Sequence, residues 1–243
     1  MQPELEYSYD ITISVPCLNE ERHVTGTLEH IREAAALANR TVEIIVFDDH
    51  STDRTAERVE EFARRHPELP LQLVRRERTM GLARNYVDGA FLGRGKYYKQ
   101  VGGDDAEPVE TIVAIISRLG EADMILPYLQ PDPRDLFRRG LSRIFTALIN
   151  LVSGYRLRYY NGTVAHLRYN IMRWHSDTYG FAFQAEVITR LLNEGASYLE
   201  VPISPVEQPG RSSRAFKLHN LLSVAHSVLQ ILLRRMRIFL FKV

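Results

Sequence analysis

Short β-rich runs alternate with amphipathic segments through the first half of the chain, and this alternation restricts the fold more than any other feature. The run TVEIIVF (41–47) is almost continuously apolar, as a strand covered on both faces should be. The segments between such runs carry apolar residues at helical spacing. Strands that alternate with amphipathic helices form βαβ units, so the sequence predicts an α/β fold around a mostly parallel sheet. The predicted strands of this half are 11–16, 41–47, 71–74, 96–101 and 124–128.

The second half of the chain follows a different pattern. It predicts helices at about 134–153 and about 180–194, with an irregular segment rich in Tyr and Arg between them. A short strand, SYLEVPI (197–203), follows, and after a Pro-rich break one long helical pattern runs to the end. We therefore expect one domain over residues 1–215 and an amphipathic helix over residues 216–243.

Several polar residues have a structural interpretation. Asn19 is expected to cap the first helix, and Ser51 or Asp53 is expected to cap the second. A lone histidine is more often a hydrogen-bonded structural residue than a ligand, so neither His166 nor His175 is assigned to a metal.

Charge and cysteine content exclude some classes of function. The net charge of +1 gives no global support for binding nucleic acid, although the residues from Arg211 onward include basic side chains and no Asp or Glu. The single cysteine, Cys17, excludes an intramolecular disulfide and fits a reducing compartment as a small buried hydrophobe. The acidic N-terminus lacks the pattern of a signal peptide. These features favour a cytoplasmic location and anionic partners for the C-terminal segment.

Two pairs of adjacent aspartates follow predicted strands, Asp48–Asp49 and Asp104–Asp105. The carboxyl ends of parallel strands meet at one edge of a sheet, where ligands bind. Two acidic pairs at one edge repel each other unless a cation lies between them or they are well separated and solvated. A Mg²⁺ or Mn²⁺ ion that takes carboxylate, phosphate and water ligands would compensate for the charge.

The residues around the second pair leave two interpretations open. Gly102 and Gly103 have no Cβ, so a diphosphate could approach their backbone closely. Alternatively, Asp104 or Asp105 simply caps the helix that begins near Pro108.

Five segments follow one another along the chain: VPCLNEE (15–21), VFDDHSTDRT (46–55), RERTMGLARNYVDGA (76–90), YGFAFQAEVITR (179–190) and LEVPI (199–203). Together they resemble family 2 glycosyltransferases of the GT-A fold. The resemblance is closest to the branch of dolichol-phosphate mannosyltransferases and polyprenyl-phosphate glycosyltransferases. It implies a GT-A fold, a GDP- or UDP-linked sugar donor, and inverting transfer to a polyprenyl or dolichyl phosphate.

The resemblance also assigns residues to the donor. Pro16 and Glu20 in the first segment, and Asp48 and Asp49 in the second, would bind the nucleotide, since carboxylates accept hydrogen bonds from base N–H groups and ribose hydroxyls. Arg84 is placed to reach the phosphates or the sugar, with a solvated helix arginine as the alternative.

Basic residues outside these segments complete the implied site. Arg211 and Arg214 lie near the position of the family's basic loop, which clamps the diphosphate, although Glu207 stands where the family has its arginine. Arg139 and Arg143 resemble a helix of the family that would bind the acceptor phosphate through charge-assisted hydrogen bonds.

The chain departs from the family at the metal-binding D-x-D motif. The first aspartate of the motif falls on Gly102 and the second on Asp104. The expected metal ligands are therefore Asp104 with Asp105, or Asp104 with Glu107, beside the backbone of Gly103.

The acceptor decides whether the reaction needs a base. A polyprenyl phosphate is already an anionic nucleophile, whereas a sugar hydroxyl would need a carboxylate such as Asp105 or Glu186 to take its proton. Gln184 lies beside Glu186 in the same segment, and a helix-start network is the structural alternative for both. A soluble or glycan hydroxyl acceptor remains an alternative. The departure at Gly102 leaves a second one, a catalytically impaired homologue that docks on membranes.

The pattern over 218–243 is a helix with one apolar stripe and one polar, basic side. Its charge-free run, 218–233, is shorter than the roughly 20 apolar residues that a membrane-spanning helix needs, and it also contains polar residues throughout. It is either a packing or dimer helix, or a helix that lies on a membrane with its arginines at anionic headgroups. We expect peripheral association with the cytoplasmic face of a membrane, and a membrane partner subunit or a homo-oligomer stays open.

Overall fold

The computed structural model describes residues 7–132, 134–174, 182–204 and 218–241. All its strands belong to one seven-stranded sheet. The strands are β1 (Tyr9–Cys17), β2 (Val42–Asp48), β3 (Leu71–Arg75), β4 (Gly95–Gln100), β5 (Met124–Leu129), β6 (Ala165–Leu167) and β7 (Tyr198–Ile203). Their order across the sheet is β3-β2-β1-β4-β6-β5-β7.

The sheet is mostly parallel, as the sequence predicts. β1 pairs in parallel with β2 and β4, β2 with β3, and β5 with β7, whereas β6 is antiparallel to both of its neighbours. The chain order reverses between β1 and β4, which is where a doubly wound sheet opens a crevice for ligands. The register places Cys17 beside Asp48, so β1 and β2 end at the same level. Gln100 lies beside Ser14, so β4 ends three residues earlier and the turn that follows it runs along the end of β1.

Helices cover both faces of the sheet. Each has an apolar side at helical spacing, as in α1, where Leu28, Ile31 and Ala35 are buried. The helices are α1 (Val24–Leu37), α2 (Thr55–Arg65), α3 (Leu82–Leu92), α4 (Val109–Ile116), α5 (Leu136–Ser153), α6 (Arg168–Trp174), α7 (Phe183–Asn193) and α8 (Leu218–Phe241).

Two hydrophobic clusters fill the space between helices and sheet. One lies under α1, α2 and α4, where Ile31, Phe62 and Ile115 are fully buried. The other lies on the opposite face under α3, α5, α6, α7 and α8, with Tyr86 and Ile188 inside it. The clusters alternate along β4, since Tyr97 belongs to the first and Tyr98 to the second.

Three local predictions are corrected by the structure. The segment predicted as irregular contains β6 and α6, and β6 is too short at three residues to show a period in the sequence. Asn19 does not cap α1, which begins at Val24; its side chain instead accepts a hydrogen bond from the Thr52 N–H at 2.8 Å. Neither Ser51 nor Asp53 is the N-cap of α2, which is Arg54 without a capping side-chain bond; Asp53, the residue before it, accepts from the Thr55 N–H.

α5 and α8 pack against each other and leave large apolar side chains exposed. Arg235 of α8 donates to the carbonyls of Leu151 and Val152 in the last turn of α5, where helix carbonyls lack partners within the helix. Among the helices of the described ranges, none is both long and apolar enough to cross a bilayer.

Candidate active site

The site is built at the carboxyl ends of β1, β2 and β4. Asp49, just after β2, accepts hydrogen bonds at both carboxylate oxygens, from the N–H groups of Met80 at 2.8 Å and Gly81 at 2.9 Å. Thr79 donates to the Asp49 carbonyl as well. Gly81 has a φ of 87°, which a residue with a side chain rarely adopts. Asp49 therefore holds the loop that leads into α3.

Asp48 ends β2 and is buried beside Cys17. Its carboxylate accepts from the Ser51 N–H at 3.1 Å. Glu20 lies on the loop after β1, where its Oε2 is 3.0 Å from Nδ1 of His23. Burial, and then the charges of Glu20 and Asp48, raise the pKa of the Cys17 thiol, which fits its predicted role as a buried hydrophobe.

The turn after β4 packs closely on β1. The Gly103 N–H donates to the Pro16 carbonyl at 3.2 Å, and a Cβ on Gly103 would meet Cys17 Sγ. A Cβ on Gly102 would lie 2.6 Å from Oδ1 of Asp104. The carboxylate of Asp104 therefore occupies the space that a side chain at position 102 would need.

Asp105 turns away from that space and toward α1. Its φ is 58°, its N–H donates to Thr27 Oγ1 at 2.9 Å, and its Oδ1 lies 3.2 Å from Nδ1 of His30. A Cβ on Gly26 would lie 2.6 Å from Oδ2 of Asp105, so the carboxylate packs directly on this glycine. Asp105 thus packs on α1, whereas the Asp104 carboxylate packs against Gly102.

Glu107 closes the same turn in an ion pair. Its Oε1 lies 2.5 Å from Nζ of Lys99, whose side chain is fully buried. Thr163 lies 3.0 Å from the other oxygen of Glu107. Both oxygens of Glu107 are thus engaged by Lys99 and Thr163.

Arg84 and Arg76 lie beside the loop held by Asp49. Arg84 is half exposed and pairs with Asp88 at 2.8 Å, as a solvated helix arginine would. Arg76, which the sequence did not single out, also pairs with Asp88 at 2.6 Å and donates to Asn85 at 3.1 Å. Its guanidinium lies 4.9 Å from the centre of the Phe47 ring. The basic run before Gly81 was the available signal for this residue.

Arg139 and Arg143 on α5 line a cleft of about 420 Å³ beside the end of β5. Arg139 donates to the Asp132 carbonyl at 3.5 Å, while its buried Nε has no hydrogen-bond partner among the described residues. Arg134 and Arg158 also line this cleft and were missed by the sequence interpretation. Arg134 lies in the stretch before α5 and Arg158 in the segment interpreted as irregular, so neither stood out.

Gln184 and Glu186 are buried in the first turn of α7. The Oε1 of Gln184 lies 3.4 Å from Nε2 of His166 in β6. Glu186 pairs with Arg234 of α8 at 3.3 Å. Burial lowers the pKa of His166 to about 4, so its imidazole is neutral at pH 7.

Arg211 and Arg214 lie outside the described residues, which stop at 204 and resume at 218. Within the described ranges no three His, Cys, Asp or Glu side chains are close enough to hold a metal by themselves.

Comparison with models of protein families shows which family the chain belongs to. The model of Glycosyl transferase family 2 matches residues 12–176. The chain belongs to this family. The match covers the strands and turns that carry Asp48, Asp49 and Asp104, and it confirms the resemblance seen in the sequence.

Curated relatives of this family 2 glycosyltransferase include enzymes named for lipid phosphates. Dodecaprenyl-phosphate galacturonate synthase from Rhizobium johnstonii is 26% identical over 169 residues, which are 68% of this chain and 50% of that protein. Dolichol-phosphate mannosyltransferase from Pyrococcus furiosus is 27% identical over 109 residues, 45% of this chain and 30% of that protein. The chain thus matches half or less of the length of these relatives.

Solved structures confirm the predicted GT-A fold. A mannosyltransferase from Pyrobaculum calidifontis, in complex with GDP-Man and Mn²⁺, aligns with a TM-score of 0.65 at 18% identity over 93% of this chain and 67% of its own. Glucosyl-3-phosphoglycerate synthase from Mycobacterium tuberculosis, with Mn²⁺, UDP and phosphoglyceric acid, aligns with a TM-score of 0.68 at 16% identity over 94% of this chain and 78% of its own.

Proposed function

We propose that this glycosyltransferase moves a sugar from a nucleoside-diphosphate sugar to a polyprenyl phosphate at a membrane surface, with inversion at the anomeric carbon. The observation that carries the proposal is the two-sided character of α5. Arg139 and Arg143 line a cleft on one side of this helix, and large apolar side chains are exposed on the other. An anionic head group on an apolar lipid needs both of these features.

The two sides of α5 follow from residue spacing. Positions 139, 143, 146 and 150 line the cleft and are three or four residues apart, so they form one helical stripe. A second set of side chains is exposed, and all but the last of them lie two residues from a member of the first stripe, which on a helix is roughly the opposite side. Its members are Phe137, Leu141, Ile144, Leu148 and Leu151.

α8 extends the exposed apolar surface. It packs on α5, and its outward side chains include Leu222, Leu229, Leu233, Met236 and Phe239. Large exposed apolar side chains on two packed helices are typical of surfaces that lie in a membrane interface. We therefore propose that α5 and α8 together hold the protein on the bilayer, and place that contact on the cytoplasmic face. Arg234 and Arg235 of α8, expected at head groups, instead bond Glu186 and the end of α5.

We place the donor nucleotide at the edge formed by Asp48 and by the loop that Asp49 holds. Asp48 and Glu20 provide carboxylate acceptors for base N–H groups and ribose hydroxyls. Arg211 and Arg214 are kept in the proposal as diphosphate contacts, on the strength of the resemblance alone.

The acids present fit a Mg²⁺ or Mn²⁺ ion that takes most of its ligands from the substrate. Asp104 provides one carboxylate at the edge, and such ions are commonly bound through one or two carboxylates plus phosphates and water. When bound, the ion would supply positive charge against the charge that develops on the leaving diphosphate. The solved structures with Mn²⁺ named above support this assignment.

The surroundings of the two candidate bases favour a phosphate acceptor. Asp105 packs on α1 beside His30, and Glu186 pairs with Arg234, so each carboxylate has another partner. A phosphate oxygen is already an anion and can attack the anomeric carbon without a base. Arg139 and Arg143 would bind the non-attacking oxygens and hold the nucleophile in line with the leaving group.

A phosphorylated soluble acceptor is the second candidate, because one structural neighbour was solved with phosphoglyceric acid and the arginine cleft would also suit that anion. The two are separated by one assay. The purified chain is incubated with UDP- and GDP-sugars, Mn²⁺, and either vesicles containing undecaprenyl phosphate or 3-phosphoglycerate. We expect labelled product in the vesicles alone; product with 3-phosphoglycerate alone would replace the proposal by the second candidate.

Variants of α5 test the cleft itself. Arg143→Ala should raise KM for the lipid phosphate by about 10- to 100-fold, the usual effect of losing a charge-assisted hydrogen bond. Arg138→Ala is the matched control, since Arg138 lies on the same helix but pairs with Asp135 at the surface. Equal effects of the two variants would contradict the assignment of the cleft.

A further inference from the structure

Lys99 is a charged residue in the middle of β4 whose side chain is completely buried. Burying an ammonium group is costly unless it is paired and hydrogen-bonded. Three acceptors surround its Nζ: Glu107 at 2.5 Å, Thr163 Oγ1 at 2.8 Å and the Gln100 carbonyl at 3.2 Å. The geometry therefore satisfies all three N–H bonds of the ammonium.

The cluster joins three parts of the chain. Lys99 belongs to β4, Glu107 to the end of the turn that follows, and Thr163 to the segment just before β6. Thr163 Oγ1 accepts from Lys99 and lies 3.0 Å from Oε2 of Glu107, to which it donates. The three side chains thus form a closed triangle of hydrogen bonds, which fixes the end of the turn in one position.

The beginning of the turn is fixed separately. Gly103 donates to the Pro16 carbonyl, and Thr27 Oγ1 accepts from the Asp105 N–H and lies 3.3 Å from the Gly102 carbonyl. These contacts involve β1 and α1 but not β4. Residues 102–105 are therefore attached to β1 and α1, and Glu107 attaches the end of the turn to β4 and to the segment before β6.

We propose that Lys99, through Glu107 and Thr163, is a positioning residue that keeps the turn 102–107 in the shape that presents Asp104 to the metal-bound nucleotide. The inference rests on the proposed function, because it takes Asp104 to be the carboxylate that meets the metal. In this proposal Glu107 holds the turn in place and is not itself a metal ligand. Lys99 itself contacts no substrate.

Stability alone gives a weak reason for this cluster. A buried ion pair is often no more stabilising than a well-packed apolar pair of similar volume, since desolvation offsets the attraction between the charges. The hydrogen bonds among Lys99, Glu107 and Thr163 are directional, whereas apolar contacts are not. The cluster is therefore compatible with only one arrangement of the backbone that carries these three residues. Replacing it should leave the fold stable and loosen the turn.

The test uses the full chain with Lys99→Met and Glu107→Leu combined, so that no buried charge is left alone. Binding of UDP and of GDP is measured by calorimetry, once with Mn²⁺ and once with EDTA. For whichever nucleotide binds, we expect the gain in affinity caused by Mn²⁺ to fall about tenfold, as losses of groups that orient metal ligands commonly do. Affinity in EDTA should be unchanged.

Two further variants keep the test decisive. Thr163→Val removes one corner of the triangle without a charge, and should reduce the Mn²⁺-dependent gain in the same direction by a smaller factor. Glu43→Gln is the matched control, because Glu43 is a buried carboxylate of the same sheet that bonds Thr12 and Gly95 far from the turn. It should leave the gain unchanged, and thermal unfolding identifies any variant that fails to fold.

The route through Asp104 is tested by combining variants. If Lys99 acts by positioning Asp104, Asp104→Asn should remove less of the Mn²⁺-dependent gain in the double variant than it does in the unaltered chain. A full gain in folded Thr163→Val and in the double variant would overturn the inference while the proposed function stands. No Mn²⁺-dependent gain in the unaltered chain with either nucleotide would overturn the metal-dependent part of the proposed function, and this inference with it.

Discussion

The same dipeptide, Asp-Asp, stands at the end of β2 and in the turn after β4. The second aspartates of the two pairs have similar bonding partners, and the first aspartates do not. In each turn the second aspartate bonds a neighbouring element: Asp49 the loop before α3, and Asp105 the helix α1. The first aspartates differ. Asp48 is buried with a backbone partner, whereas the Asp104 carboxylate lies over the bare backbone of Gly102.

This difference shows why an acidic pair at a strand end does not by itself define a metal site. Each second aspartate has its direction set by the backbone and by nearby donors, as with Asp105, whose φ is 58°. Asp104 instead takes the position that the glycine before it leaves open. We therefore propose nucleotide contacts for the first turn and metal contact for the second.

The largest predicted effect separates Asp104 from Asp105. Asp104→Asn should lower the transfer rate with Mn²⁺ by about 100-fold or more, as loss of a transition-state charge contact commonly does. Asp105→Asn should stay within several-fold of the unaltered chain, because its carboxylate packs on Gly26. Initial rates at saturating donor measure both, and equal losses would contradict the separation.

The next effect separates Asp49 from Asp48 in stability. Asp49→Asn places an NH₂ group against a backbone N–H, so one charge-assisted bond is lost and a donor faces a donor. We expect a loss of about 2 kcal/mol or more in the free energy of unfolding, measured with urea. Asp48→Asn should cost clearly less, because one carboxylate bond is described there. The reverse order would show that Asp48 holds the fold.

A smaller effect depends on pH and concerns the first turn alone. Burial disfavours the charged form of Asp53, but hydrogen bonds from Thr55 and from the N–H groups of Glu21 and Thr55 outweigh it and lower its pKa below 3.8. A lowered pKa means stabilisation that is present above pH 3.8 and is lost as pH falls through the folded-state value. Asp53→Asn should therefore be less stable at pH 7, with the difference shrinking below pH 4 in urea titrations. A difference that does not change with pH would contradict this.

The smallest effect concerns the contact of Asp105 with α1. Its partner His30 is one-third exposed, so the ion pair should contribute little. His30→Gln should change the free energy of unfolding by about 0.5 kcal/mol or less and leave Mn²⁺-dependent transfer unchanged. A large loss of transfer would mean that Asp105 takes part in the reaction after all.

Much of the fold was visible in the sequence because its strands are long, apolar and separated by amphipathic helices. β2 is buried at all seven positions, and the periodicity of α1 matches its buried face. β6 was missed because three residues between other elements show no period, and its pairing depends on β4 and β5 far away in the chain.

The sequence predicts which turns form the site, but not which partner each carboxylate in those turns contacts. The positions of the Asp pairs after β2 and β4 follow from the strand pattern. That Glu107 would pair with Lys99 depends on Thr163 and on burial of β4, which no local spacing reveals. Arg134 and Arg158 join the cleft only because the chain folds back beside β5.

A crystal structure of the chain with Mn²⁺ and the nucleotide that binds would test the central claim most directly. The account predicts that Mn²⁺ would be held by the carboxylate of Asp104 together with the diphosphate. The nucleoside should lie against Asp48, while Asp105 stays on α1 and Glu107 stays on Lys99. Mn²⁺ held by Asp105 or Glu107, with Asp104 turned away, would contradict it.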